Sequence, residues 1–117
     1  MFVDDSTVCR IHEKRVLEGL GFRVFSEAAD GANAIAAATR EPFDLIVTDY
    51  NMPLMDGFAL VSYLKQTPAT EKVPIVMVTT ETAPAVLDPV RALGVAAVFD
   101  KSFNSEDVKA LMDRLFA

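Results

Sequence analysis

A small set of side chains in this chain could act together: the carboxylates of Asp4, Asp5 and Asp49, the hydroxyls of Thr79 and Thr80, and the amine of Lys101. Each follows a short apolar run: Met1-Phe2-Val3, Leu45-Ile46-Val47, Ile75-Val76-Met77-Val78 and Val98-Phe99. In an open parallel sheet, ligands bind outside the carboxyl ends of the strands, so these groups would meet on one rim. Two like charges about 4 Å apart repel by roughly 4 kcal/mol at an effective dielectric near 20, so three gathered carboxylates need a counter-charge. A divalent cation and one lysine supply it. An all-oxygen ligand set with no His or Cys beside it suits Mg²⁺, or Mn²⁺, better than Zn²⁺. With such a cation in place Asp49 is a candidate nucleophile, because carboxylates form acyl phosphates and phosphoryl transfer needs mainly positioning and neutralised oxygen charge. Lys101 can pair with one phosphoryl oxygen, and the Thr79 hydroxyl can donate to another.

The elements that must position these groups alternate. Runs rich in Val, Ile and Phe predict strands near residues 1–3, 23–27, 44–48, 74–79 and 95–99. Each is followed by a segment of helical character, near 7–20, 32–39, 58–65, 85–93 and 105–115. That alternation is the pattern of a parallel sheet with crossover helices, and the unbroken apolar runs suit strands buried on both faces. The punctuation agrees: Ser6 or Thr7 can cap the first helix and Gly21 follows it, Gly94 follows the fourth, and Asn104 or Ser105 can cap the last. Pro89 falls inside the fourth helix, which should therefore be short or bent. The apolar stripe of the first helix, Cys9, Val16 and Leu20, is interrupted by His12 and Glu13. The first strand is about three residues where five or six are usual. That shortness points to a truncated N-terminal region or to packing completed by another chain, as in a dimer.

The 117 residues suit one compact domain, 1–117, and hence one site. A formal net charge of −6 argues against nucleic acid, which needs clustered Lys and Arg, and suits a cation or a basic protein patch. No apolar run approaches the roughly 18 residues of a membrane span, and the acidic start does not resemble a signal peptide. A single cysteine, Cys9, can form neither an internal disulfide nor a thiolate metal site, which fits a reducing compartment, the cytoplasm.

Four stretches resemble the motifs of response-regulator receiver domains of two-component signalling systems, of the chemotaxis type: Val3-Asp4-Asp5-Ser6, Asp44 through Asp49 and on to Asp56-Gly57, Pro74-Ile75-Val76-Met77-Val78-Thr79, and Asp100-Lys101-Ser102-Phe103. Their order and their places at strand ends cover essentially the whole chain. The resemblance implies an α/β, flavodoxin-like (βα)5 doubly wound parallel sheet of strand order 2-1-3-4-5. It implies that Asp49 is the phosphoacceptor and that Asp5, Asp49 and the backbone oxygen of Asn51 bind Mg²⁺ (or Mn²⁺), with Asp4 acting through water. Lys101 is then the phosphate-pairing lysine and Thr79 the switch hydroxyl, while Asn51 and Glu81 flank the water path. The donor is a phosphohistidine on a sensor histidine kinase or phosphotransfer protein, and the output is a partner protein. Such a domain catalyses only its own phosphorylation and dephosphorylation.

This chain departs from the family at three places: Ser102 stands where proline usually follows the lysine, Val98 where an aromatic is frequent, and Pro89 lies in the fourth helix. These departures leave open a receiver that binds its partner constitutively or acts as a phosphate sink. An aspartyl-phosphate phosphatase is a third reading, against which Asn51 counts, since that class uses a second Asp there. A flavodoxin relative would need a phosphate-cradling loop after the first strand, and none is present. His12 receives no role. Cys9 reads as a small core residue, Met52 and Met55 as loop packing beside the acids, and Gly57 as relief of backbone strain in a rigid turn.

Overall fold

The computed structural model describes residues 1–3, 7–19, 27–40, 42–52, 55–101 and 105–116, without the side chains of residues 7–10, 13, 105 and 116. Five strands alternate with five helices: β1 (Phe2–Val3), α1 (Thr7–Gly19), β2 (Glu27–Ala28), α2 (Gly31–Arg40), β3 (Ile46–Thr48), α3 (Gly57–Gln66), β4 (Ile75–Thr79), α4 (Pro84–Ala92), β5 (Ala97–Asp100) and α5 (Ser105–Phe116). The strands form one parallel sheet in the order β2-β1-β3-β4-β5, as the family resemblance implies. Most of the expected second strand, together with Ser6, Leu20, Gly21 and Asn104, lies outside the described residues.

Side-chain alternation along the central strands splits the core in two. Val3, Ile46, Ile75 and Met77 face one side and pack with Ala34, Leu60, Val61, Leu64, Leu87 and Val90 of α2, α3 and α4. Phe2, Val47, Val76 and Val78 face the other, against Leu17 of α1 and Val108, Leu111 and Met112 of α5. In β5, Val98 lies on the first face and Phe99 on the second, as expected for a regular strand. Every residue of β3 and β4 is buried, which explains why their sequences are continuous apolar runs rather than alternating ones.

Among the described side chains of α1 the buried contact is Leu17, with Val16 only partly packed and His12 exposed; Cys9 lies outside them. Helix α4 is nine residues long and runs through Pro89. Ala85, whose carbonyl loses its helical partner to the proline, is exposed, as is Pro89, so water can take that bond on the solvent side. The helix ends where Gly94 takes a φ of 92° and donates its N–H to the Arg91 carbonyl at 3.0 Å, the left-handed cap that the glycine's position predicts.

Gly57 corrects one expectation. Its backbone is not left-handed, since the positive-φ glycine among the described residues is Gly94. What requires glycine is close approach: a Cβ at position 57 would lie 2.6 Å from the Asp49 carbonyl oxygen and 2.7 Å from both Tyr50 Cα and Met77 Cε. Two of these neighbours are backbone and cannot swing away. Gly57→Ala should therefore lose about 1–3 kcal/mol of stability in denaturant unfolding despite the better helix propensity of alanine. Gly19→Ala, at a position with nothing within 4 Å of the added carbon, should be neutral or slightly stabilising. Equal effects at the two sites would refute the close-approach account.

Candidate functional site

The register brings the expected residues to one end of the sheet. Asp49 is the first residue past β3, and its N–H donates to the Val3 carbonyl at 2.9 Å, extending the β1–β3 ladder by one step. Asp4 and Asp5 follow Val3 directly in sequence but lie outside the described residues, as do Pro53, Leu54, Ser102 and Phe103. In the β4–β5 ladder Thr79 pairs with Asp100, so Lys101 begins just past the end of the strand beside Thr79.

The Asp49 residue is 7% exposed, and each of its carboxylate oxygens is engaged. Oδ1 accepts the Tyr50 N–H at 2.7 Å, and Oδ2 lies 3.3 Å from Lys101 Nζ. The lysine side chain is 17% exposed, so this pair is largely shielded from water. Burying a carboxylate is costly unless an opposite charge and hydrogen bonds compensate, and the site supplies both.

The main chain around the carboxylate is tied on both sides. Thr48, itself buried, donates its hydroxyl to the Asp49 carbonyl at 3.0 Å, and Gly57 N–H donates to the Tyr50 carbonyl at 2.7 Å. Asp56 caps α3 by accepting the Ala59 N–H at 2.8 Å, which anchors the returning chain. Met52 and Met55 pack on the core beside this loop, as their sequence position predicts. A carboxylate held this way needs little reorganisation to meet a reacting group.

Thr79 is 1% exposed, and its hydroxyl oxygen accepts the Glu81 N–H at 3.0 Å. Glu81 in turn accepts, through Oε1, the N–H groups of Thr82 at 3.2 Å and Ala83 at 3.1 Å. Ala83 is the N-cap of α4 and has no side-chain bond of its own, so Glu81 ties the entry of that helix to Thr79. Thr80 is exposed. Asn51, two residues past Asp49, is also exposed.

The structure thus places Asp49 and Lys101 in contact and puts Thr79 on the same rim. Among the described residues no cluster of three or more His, Cys, Asp or Glu side chains could hold a metal, because two of the three expected carboxylates are not among them. The donors that are described, the Asp49 carboxylate and the Asn51 carbonyl, are hard oxygens of the kind Mg²⁺ takes. Three features escaped the sequence reading: the Tyr50 N–H on Asp49, the Gly57 approach, and the Glu81 carboxylate at α4. The Asp56-Gly57 pair at the head of a helix was the available signal for the second.

Comparison with known proteins agrees with this geometry. The family model for the response regulator receiver domain matches residues 1–113. The chain is 30% identical over 116 residues to a probable chemotaxis protein CheY of Rhizobium etli, covering 99% of this chain and 90% of the relative. It superposes on chemotaxis response regulator CheY4 of Vibrio cholerae with a TM-score of 0.85 and 36% identity, covering 98% and 95% of the two chains. The receiver domain of sensor histidine kinase PA1611 from Pseudomonas aeruginosa, whose structure has a magnesium ion coordinated in its active-site cleft, shares the fold at a TM-score of 0.85 and 24% identity, covering 99% and 95%.

The Tyr50 phenol is held above its ordinary 10.0, first by burial and then by the nearby carboxylates of Asp56 and Glu81. A phenol that keeps its proton in the folded state after the unfolded chain has lost it makes stability fall as pH rises from 10.0 toward the folded value. Tyr50→Phe should remove that contribution, giving a shallower alkaline loss of stability than the wild type when unfolding is followed across that window. Parallel alkaline slopes would show that the phenol does not ionise against burial.

Proposed function

Because the chain belongs to the response-regulator receiver family, we propose that residues 1–117 act as one cytoplasmic phosphoacceptor domain of a two-component system. In this reading Asp49 receives a phosphoryl group from the phosphohistidine of a sensor histidine kinase or a phosphotransfer protein, and the phosphorylated state binds an output protein differently. The observation that carries the reading is the buried Asp49 carboxylate with Lys101 Nζ at 3.3 Å.

An Asp49 oxygen attacks phosphorus, the bond from phosphorus to the imidazole nitrogen breaks, and the leaving imidazole keeps the electron pair. The backbone ties on Asp49 and Tyr50 orient the attacking oxygen. Lys101 and the Thr79 hydroxyl then meet two of the phosphoryl oxygens. A phosphoryl group adds roughly −1.5 to −2 of charge, more than one ammonium balances, so a second source of positive charge fits the site. Asp5, Asp49 and the Asn51 carbonyl would hold a Mg²⁺ ion, with Asp4 acting through water. Bound there, the ion would neutralise phosphoryl oxygen charge during transfer.

A second reading, a receiver that binds its partner whether or not it is phosphorylated, draws on Val98, a small side chain on the face toward α4 where the family often has an aromatic.

Incubation with acetyl phosphate and Mg²⁺ should add one phosphoryl group to the intact mass of the wild type. Asp49→Ala should show no gain, omission of Mg²⁺ should abolish the gain, and Lys101→Ala should slow it by about tenfold or more, as expected for one lost charge contact to the transferring group. Labelling retained in Asp49→Ala would overturn the site assignment. If phosphorylation proceeds but partner affinity does not change, the second reading holds.

A further inference from the structure

The loop that leads from Asp49 to α3 is tied twice. Its two ends meet through the Gly57 N–H, which donates to the Tyr50 carbonyl at 2.7 Å. Near the second end, Met55 reaches across to a different element and lies over Gly31, the first residue of α2. A Cβ at position 31 would stand 2.6 Å from Met55 Sδ, 3.0 Å from its Cγ and 3.1 Å from its Cβ, so the thioether occupies the place that a side chain there would take. Gly31 is buried, and Met55 is partly buried against the core cluster that contains Ala34 and Leu60. The phosphoryl chemistry uses neither residue. Met55 is also set apart chemically. Met1, Met77 and Met112 are buried, at 8%, 0% and 8% exposure, whereas Met52 and Met55 are only partly covered. An oxidant in solution meets the partly covered thioethers first. Of these two, Met55 has its sulfur seated on Gly31.

We propose that Met55 is a reversible oxidation site, at which hydrogen peroxide unseats the loop from α2 and slows phosphoryl acceptance at Asp49. The sulfur lone pair attacks one peroxide oxygen, the O–O bond breaks, and its electron pair leaves with the departing hydroxide. That hydroxide takes the proton from the transferred oxygen, so the products are the sulfoxide and water. Sulfur is oxidised by two electrons and the peroxide is reduced by two.

The product does not fit the seat. A sulfoxide is polar and chiral where the thioether was apolar and pliant, and its new oxygen sits on a sulfur already packed against Gly31 and core carbon. Burying that oxygen without donors is unfavourable, so the side chain turns out to water. With it goes the lateral support of the loop that carries Asn51, whose carbonyl is a proposed metal ligand. This effect on the site rests on the function proposed above. Asp56 and Gly57 keep their own bonds to α3 and Tyr50, so the core is undisturbed and reduction of the sulfoxide restores the seat.

The test exposes the whole chain to hydrogen peroxide, locates each added oxygen by peptide mass, and compares acetyl phosphate labelling of every sample before and after oxidation. Met55 should gain oxygen ahead of Met1, Met77 and Met112, and the backbone amide signals of Gly31 and Gly57 should shift. Labelling should then slow by about tenfold or more, the size expected when the support of a metal ligand is lost. Met55→Leu, close in volume and inert to peroxide, should label at one rate before and after. Gly31→Ala, which displaces the thioether directly, should label slowly without oxidant and lose nothing further on oxidation. Methionine sulfoxide reductase should restore the wild type. A loss that persists in Met55→Leu would belong to Met52 or Cys9 and overturn the proposal. Late oxidation of Met55, or a Met55 sulfoxide with unmoved Gly31 signals or unchanged labelling, would overturn it equally. Absent labelling before any oxidant, with the Gly31 shift on oxidation intact, would instead sink the phosphoacceptor reading, so the two failures are distinguishable.

Discussion

The structure turns on one electrostatic constraint, a carboxylate buried at the carboxyl edge of a parallel sheet. Desolvating such an ion costs several kcal/mol unless compensated, and the compensation here comes from three separate parts of the chain. The Lys101 ammonium arrives from the end of β5, the Tyr50 N–H from the loop after β3, and the room for that loop from the missing side chain of Gly57. None of these is local to Asp49 except Tyr50, so the site exists only when the β3-β4-β5 register is correct. A one-residue slip of β5 would turn Val98 and Phe99 to the wrong faces and move Lys101 by about 3.3 Å, enough to break its pairing.

The same register divides the molecule into a firm part and a yielding part. Strands β3 and β4 are wholly buried and packed on both faces, which fixes Asp49 and Thr79. By contrast β5 is half-buried along Ala97 to Phe99, and α4 buries only Leu87 and Val90, starts on an alanine cap and contains Pro89. Segments with few buried apolar contacts and imperfect helical bonding open at lower free energy than the core. The buried Asp49 carboxylate therefore sits on the firm side, and the more yielding α4 sits next to it, joined through Thr79 and Glu81.

The fold was legible in the residues because a parallel sheet covered on both faces writes itself as unbroken apolar runs, and Leu45-Ile46-Val47 and Ile75-Val76-Met77-Val78 are such runs. Helix ends shifted by at most one residue, within what caps and fraying decide. The side chains of Asp49, Thr79 and Lys101 were legible for the same reason: each follows a run, and the sheet carries run ends to one rim. Backbone donors and close approaches were not. Nothing in the letters says that Tyr50 offers its N–H to Asp49, or that position 57 lies against the Asp49 carbonyl, because both depend on how the loop returns across the sheet. Pro89 was legible in part: the local rule expects a short or bent helix, and α4, at nine residues, is the shortest of the five, while the lost bond faces water and the helix runs on through the proline.

Thr79 is where these threads meet, and the energies there are well matched. In this structure its hydroxyl oxygen is committed to the Glu81 N–H, and Glu81 is committed to the entry of α4. Accepting that N–H uses an oxygen lone pair and leaves the hydroxyl its own hydrogen to donate. The neutral bond from Glu81 is worth about 0.5–1.5 kcal/mol net, whereas a bond donated to a charged acceptor is worth about 1.5–3 kcal/mol. Any turn of the hydroxyl toward an anion on the Asp49 side would therefore be driven by the stronger bond and would stretch the weaker one, which holds Glu81 and the entry of α4. A group can shift an equilibrium only by its differential interaction with the two states, and here that difference passes through one buried hydroxyl.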